Sequence, residues 1–371
     1  MCEFNFYTLQ NRIINNLTTS QVLERDIKHI VQECLKLTPD LYAIILYGSY
    51  GRNEGGWYKD RLGFWKPYND YDICIVVETK VSTYKIKKVE KELVEKLPIR
   101  WIDLGQKTYK ELINLSPSIL NYDFKNGSTI IAGDKDILTN IPNISSETLP
   151  IKECLTLYFT RIFTLIGSFK KNGLQLDLSG EDSRFFRNQM AKSVLAVIDV
   201  LLLAKGGYDS SYVIRLKRVL KFYPDNITLQ ELGNWALQEK LSPQSPDMSA
   251  VAVQLLYEKV LTFFENEMNK ALSLCFNHDI RSPVDIEYCI KRKPVALLKR
   301  LFWFILHGRV VENQMYVQLA QSYLIAAWSP NMIDHHHLGR AIKLLKKVDN
   351  KDVSTWDDAR LLAAQLRMEV N

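Results

Sequence analysis

The chain lacks the features that would assign it at once to a membrane, a disulfide scaffold or a nucleic acid. Its longest apolar run, "SVLAVIDVLLLA" (193–204), is too short to span a bilayer and is interrupted by Asp199. The first residues, "MCEFNFYTLQNRIINN", have neither the charged start nor the continuous apolar centre of a secretory leader. Six cysteines (Cys2, Cys34, Cys74, Cys154, Cys275, Cys289) are scattered without paired spacing, which suggests neither a zinc site nor a disulfide framework. A reducing, cytoplasmic compartment is the expectation. Long basic runs are missing, and a net charge of +6 over 371 residues is too mild to argue for nucleic acid, although it suits an anionic small molecule. No fixed-period repeat and no low-complexity segment is present.

What is present is ample apolar material, 47% of residues, enough for two cores in a chain of this length. Residues 1–40 read as helical, with Ile27, Ile30, Val31 and Leu35 at helical spacing and Pro39 as the stop. Two β-branched runs follow, "YAIILYG" (42–48) and "YDICIVVE" (71–78). A mixed-charge helix fits 82–97, "IRWIDLG" (99–105) alternates like a strand ended by Gly105, and "STIIAGD" (128–134) reads as a short edge strand. After Pro150 the pattern turns helical: 151–171, 182–208, 212–223, 228–239, 247–275, 294–307, 312–327 and 334–348. The fold class expected is therefore α+β, a small mixed sheet with helices over 1–150. An all-α region over 151–371 follows, either one domain or two divided near 280–293.

The stretch "LYGSYGRNEGGWYKDRLGFWKPYNDYDICIVVE" holds the chemistry. Side chains alternate along a strand, so Asp70 and Asp72 share a face and Tyr71 takes the other. Two neighbouring carboxylates repel unless a cation lies between them, and Mg2+ characteristically takes one or two carboxylates together with substrate phosphate. Gly48 lets a backbone approach a phosphate closely, and the Ser49 hydroxyl can hydrogen-bond its oxygens. A phosphate cradle beside a carboxylate pair is equipment for phosphoryl-type transfer.

The order apolar-Gly-Ser, then Asp-X-Asp opening the next strand, then a third acidic strand resembles the nucleotidyltransferase superfamily that includes DNA polymerase β. "GSYGR" followed by "NDYD" is similar to aminoglycoside and other small-molecule nucleotidyltransferases; the likeness covers about 42–104. It implies transfer of a nucleoside monophosphate, with ATP the expected donor, to a hydroxyl of a sugar or amino-sugar. Mg2+ or Mn2+ would sit on Asp70, Asp72 and Asp103, and Asp103 would be metal ligand, base or both. Gly48, Ser49, Arg52 and Lys192 would face the triphosphate. Some relatives place a base four residues before a phosphate-binding lysine; here Asn188 stands there before Lys192 and cannot serve, which favours Asp103.

The insertion between Ser49 and Asp70 is longer than that family's usual spacing. Its Trp57, Tyr58, Phe64, Trp65 and Tyr68 either stack on a bound ring or pack the loop down. "DHHHLGR" (334–340) reads as a helix start capped by Asp334 rather than a metal site, and "LLKRLFWFILHG" (297–308) as core. Alternatives to a small acceptor are adenylylation of a protein, or a catalytically silent nucleotide-binding or antitoxin-like module. The intact set Asp70, Asp72 and Asp103 argues against the last.

Overall fold

The computed structural model describes residues 17–61, 63–97, 99–291 and 312–370. The expected helix over 294–307, the core reading of 297–308 and the first 16 residues lie outside them. The described chain is α+β and contains a small mixed sheet. It forms two compact units. The first holds the described residues up to Pro150 together with Lys205–Tyr223 and Leu237–Gln244, so it is discontinuous in sequence. The second holds Ile151–Ala204, Pro224–Ala236 and the described residues from Ser245 onward.

In the first unit, helix α1 (Leu17–Leu37) leads into strand β1 (Ala43–Tyr47), a four-residue helical turn α2 (Gly48–Gly51), and a hairpin of β2 (Gly56–Lys59) and β3 (Trp65–Tyr68). Strand β4 (Asp70–Val77), helix α3 (Thr83–Lys96) and strand β5 (Trp101–Thr108) follow. Two short helices, α4 (Tyr109–Leu112) and α5 (Ile119–Asn126), precede edge strand β6 (Thr129–Gly133). The main sheet has the order β5-β4-β1-β6. Strand β1 is antiparallel to both neighbours, and β4 is parallel to β5 across the α3 connection.

Strand β1 is central and covered on both faces, which is why "AIILY" is a continuous apolar run rather than an alternating one. On one face Ile44, Leu46, Tyr71, Ile73, Ile75, Ile102 and Leu104 pack under Ile27, Ile30 and Val31 of α1 and Ile86 and Leu93 of α3. On the other face Ala43, Ile45, Cys74 and Val76 meet Leu112, Phe124, Ile137 and Ile141. That second core stops short of one end of β4 and β5, where Asp70, Asp72 and Asp103 continue the same face.

Gly105 does not end its strand: β5 runs on to Thr108, whose side chain and Glu111 close a capping box at the start of α4. A glycine in extended backbone keeps its ladder partner, here Cys74, and so interrupts nothing. The insertion folds as the β2–β3 hairpin. Tyr50 anchors it, donating its hydroxyl to Gly56 O at 2.6 Å and accepting from Tyr68 N at 2.9 Å. Trp57 meets the Tyr50 ring edge at 5.6 Å and Tyr58 meets Tyr68 at 5.9 Å, whereas Phe64 projects into solvent.

The described elements of the second unit are helical, apart from one isolated bridge between Leu178 and Met248. They include α6 (Glu153–Gly167), α7 (Gly180–Leu203) and α10 (Ala250–Phe276). Helices over Glu312–Ala327, His335–Leu345 and Trp356–Val370 pack beside them. From Ser193 to Leu203 helix α7 is buried all round, as an apolar run without a polar face requires. The buried Arg360 guanidinium donates to Ile166 O, Phe169 O and Lys170 O at 2.6–2.9 Å, satisfying the carbonyls at and just beyond the α6 terminus. Asp334 caps the His335–Leu345 helix by accepting from His336 N and His337 N. Among the described residues no helix is long and apolar enough to cross a membrane.

Candidate functional site

Strand register brings the acids together. Asp72 pairs with Tyr47 of β1 and with Asp103 of β5, and Asp70 pairs with Trp101. Paired residues in adjacent strands share a face. Tyr47, Asp70, Asp72, Trp101 and Asp103 therefore form one surface at the end of the sheet, opposite the core face carrying Tyr71 and Ile102. None of the three carboxylates makes a hydrogen bond or ion pair with the described residues. Asp70 and Asp72 are half-buried and Asp103 is exposed.

Gly48 lies directly against Asp72. Its φ is +64°, a left-handed conformation that side chains disfavour, and a Cβ built there would fall 1.9 Å from Asp72 Oδ2. The backbone at the end of β1 thus closes onto the carboxylate and leaves no room there for a side chain at position 48. Ser49 follows, buried, with its carbonyl accepting from Glu54 N at 2.8 Å.

The electrostatics follow from this crowding. Burial raises the Asp72 carboxyl from 3.8 to about 7, and the negative charges of Asp70 and Asp103 add to the shift; Lys240 and Arg52 offset part of it. Asp103 is raised by the desolvation of its surroundings, then by Glu90 and Asp70, with Lys87 opposing. Glu90 is fixed there because it accepts from Leu104 N at 3.0 Å and pairs with Lys87 at 2.7 Å. The Tyr47 phenol is pushed well up by burial and then by Asp72 and Asp103.

Arg52 is committed to a buried network. Its Nε lies 3.3 Å from Glu54, its Nη1 3.3 Å from Asp123, and its guanidinium 4.5 Å over the Tyr212 ring. Arg215 reaches Asp123 at 3.0 Å and stacks on Tyr208 and Tyr212. Glu54 accepts from Ser211 Oγ at 2.6 Å, Tyr212 N at 2.8 Å and Val213 N at 3.2 Å, capping α8 (Tyr212–Phe222) from a distant part of the chain. This network ties Lys205–Tyr223 into the first unit.

Lys240, near the end of α9 (Ile227–Leu241), is only 4% exposed, and its ammonium lies 5.7 Å from the Tyr212 ring. It is a cation felt by Asp72 that the sequence pattern does not single out. Lys192 stands half-buried on α7 in the second unit. Asn188, one turn earlier, is fully buried, and neither polar atom of its side chain is hydrogen-bonded.

Unpartnered, mutually repelling carboxylates of hard oxygen character suit a divalent cation at Asp70 and Asp72. Among the described residues, however, no three His, Cys, Asp or Glu side chains are grouped so as to hold an ion by themselves. A cation here would complete its shell with water and substrate oxygens, the habit of Mg2+ rather than of a structural zinc.

Tyr47 and Trp101 were accessible to strand alternation, since one precedes Gly48 and the other lies two residues before Asp103. Glu90, Asp123 and Lys240 carry no local signal, because helix packing and long-range pairing bring them in. No model of a known protein family matches the chain, and no curated protein matches it.

Proposed function

We propose that the chain is a metal-dependent nucleotidyltransferase that moves a nucleoside monophosphate, from ATP in the first instance, onto a hydroxyl of a small molecule. The observation that carries the reading is the seat of Asp72 against Gly48, with Asp70 and Asp103 on the same face and no internal partner for any of the three among the described residues. Acids kept unpaired at the cost of repulsion call for a ligand that the described residues do not supply.

Asp70 and Asp72 would hold Mg2+ or Mn2+, which when bound supplies neutralisation of the charge that develops on the triphosphate. Gly48 gives the phosphates a close approach to the backbone, with Ser49 beside it. Lys240 adds positive charge on the Asp72 side. Asp103, exposed on the same face and with a raised carboxyl pKa, is the proton acceptor. As the acceptor oxygen bonds to the α-phosphorus its proton passes to the Asp103 carboxylate, the bond from that phosphorus to the bridging oxygen breaks, and pyrophosphate leaves.

The test incubates the protein with Mg2+, each α-labelled nucleoside triphosphate and a small-molecule extract, beside Asp70→Ala/Asp72→Ala. Label is expected in a small product, together with pyrophosphate, only for the unaltered protein. Turnover that survives the double substitution overturns the assignment, and label recovered on a protein moves the acceptor to that class.

A further inference from the structure

Cys154 and Cys275, both in the second unit, are 121 residues apart in the sequence and are brought near each other by the packing of α6 on α10. The Cys154 thiol, fully buried in the first turn of α6, donates to Ala271 O at 3.8 Å. One helical turn beyond Ala271 on the same side of α10 is Cys275, so the carbonyl that the Cys154 thiol reaches lies in the turn that carries Cys275. The other described cysteines, Cys34, Cys74 and Cys289, are buried, so Cys275 alone among them reaches solvent.

We propose that Cys154 and Cys275 form a conditional disulfide, a redox-modification site that staples the start of α6 to the end of α10. The two thiols divide the work by accessibility. Cys275 meets the oxidant, a peroxide or a small disulfide. As thiolate it attacks the peroxide O–O bond and becomes a sulfenic acid while a hydroxide leaves. Cys154 sulfur then attacks the Cys275 sulfur, the S–O bond breaks, and the Cys154 proton departs with that oxygen as water. Two thiols lose two electrons, and one peroxide becomes two waters. The neighbouring Cys275 side chain, and then burial, hold the Cys154 thiol protonated in the reduced protein. Cys154 is therefore inert until its neighbour is oxidised. A crosslink closing so long a loop restricts the unfolded chain strongly, so the oxidised form withstands heating better.

The full-length protein is treated with limiting hydrogen peroxide, alkylated while native, and mapped by non-reducing peptide mass spectrometry. The expected result is a Cys154–Cys275 linked peptide, a fall from six titratable thiols to four in denaturant, reversal by dithiothreitol, and a higher Tm for the oxidised form. Cys275→Ser should abolish both the linked peptide and the Tm shift. Cys275 recovered as sulfinic acid with Cys154 alkylated only after unfolding overturns the proposal, as does loss of thiols mapped to any other pair. The mapping is made on the unaltered chain, so its outcome does not depend on a variant folding.

Discussion

Replacing Asp72 by Asn separates an acid kept for a ligand from one kept for the fold. The Asp72 carboxyl is raised from 3.8 to about 7 by burial and by Asp70 and Asp103. A carboxyl whose folded pKa exceeds its unfolded value costs nothing below about pH 4, where it is protonated in both states. The cost grows through the interval and is complete above about pH 7. At about 1.4 kcal/mol per tenfold, the ceiling is ~4 kcal/mol. Water on the open side of the sheet reduces that to about 1–3 kcal/mol. Asp72→Asn removes the charge while keeping the shape, so the variant should match the parent at pH 4 and exceed it at pH 8. For a unit of this size the gain is roughly 3–10 °C in the melting temperature of its transition. Added Mg2+ should stabilise the parent at pH 8 and leave the variant unmoved, since only the parent offers both carboxylates. The assay is thermal unfolding across pH 4–8, with and without Mg2+. A variant less stable than the parent at pH 8 would refute the reasoning, because it would make Asp72 a structural partner.

The other predictions concern its neighbours. Gly48→Ala adds a left-handed side chain and a Cβ 1.9 Å from Asp72 Oδ2, and should cost about 2–3 kcal/mol. Pairing it with Asp72→Ala should recover the clash component in a double-mutant cycle followed by urea unfolding. Arg52→Ala leaves Glu54 and Asp123 short of a buried counter-charge and should cost about 3 kcal/mol with or without nucleotide, read as the urea midpoint. Lys240→Met should weaken Mg·ATP binding about 10–100-fold by calorimetry, the worth of one charged hydrogen bond, and unchanged affinity would remove Lys240 from the site.

The legible parts of the fold were those with local causes. The apolar run of β1 and the β-branched run of β4 identify two strands within a residue or two. The helices over 83–96 and 212–222 follow their apolar spacing, and Asp334 caps its helix as its position implies. Less legible were Gly105, which alone cannot reveal whether a strand continues, and the helices over 119–126 and 356–370, which lack a strong periodic stripe. Within the site, alternation alone puts Asp70 and Asp72 on a common face.

Alternation along one strand is a covalent property, so the sequence by itself determined that the two acids point together and that a glycine precedes Ser49 at the end of a buried strand. Which residues lie opposite them is a matter of register between strands far apart in the chain. Only the tertiary structure decided that Asp103 stands beside Asp72, that Gly48 closes onto its carboxylate, and that Arg52 is spent on Glu54 and Asp123. The same holds for Lys240, nearly 170 residues from Asp72 in sequence yet acting on it through space. Coulomb interactions depend on distance in space and are indifferent to distance along the chain.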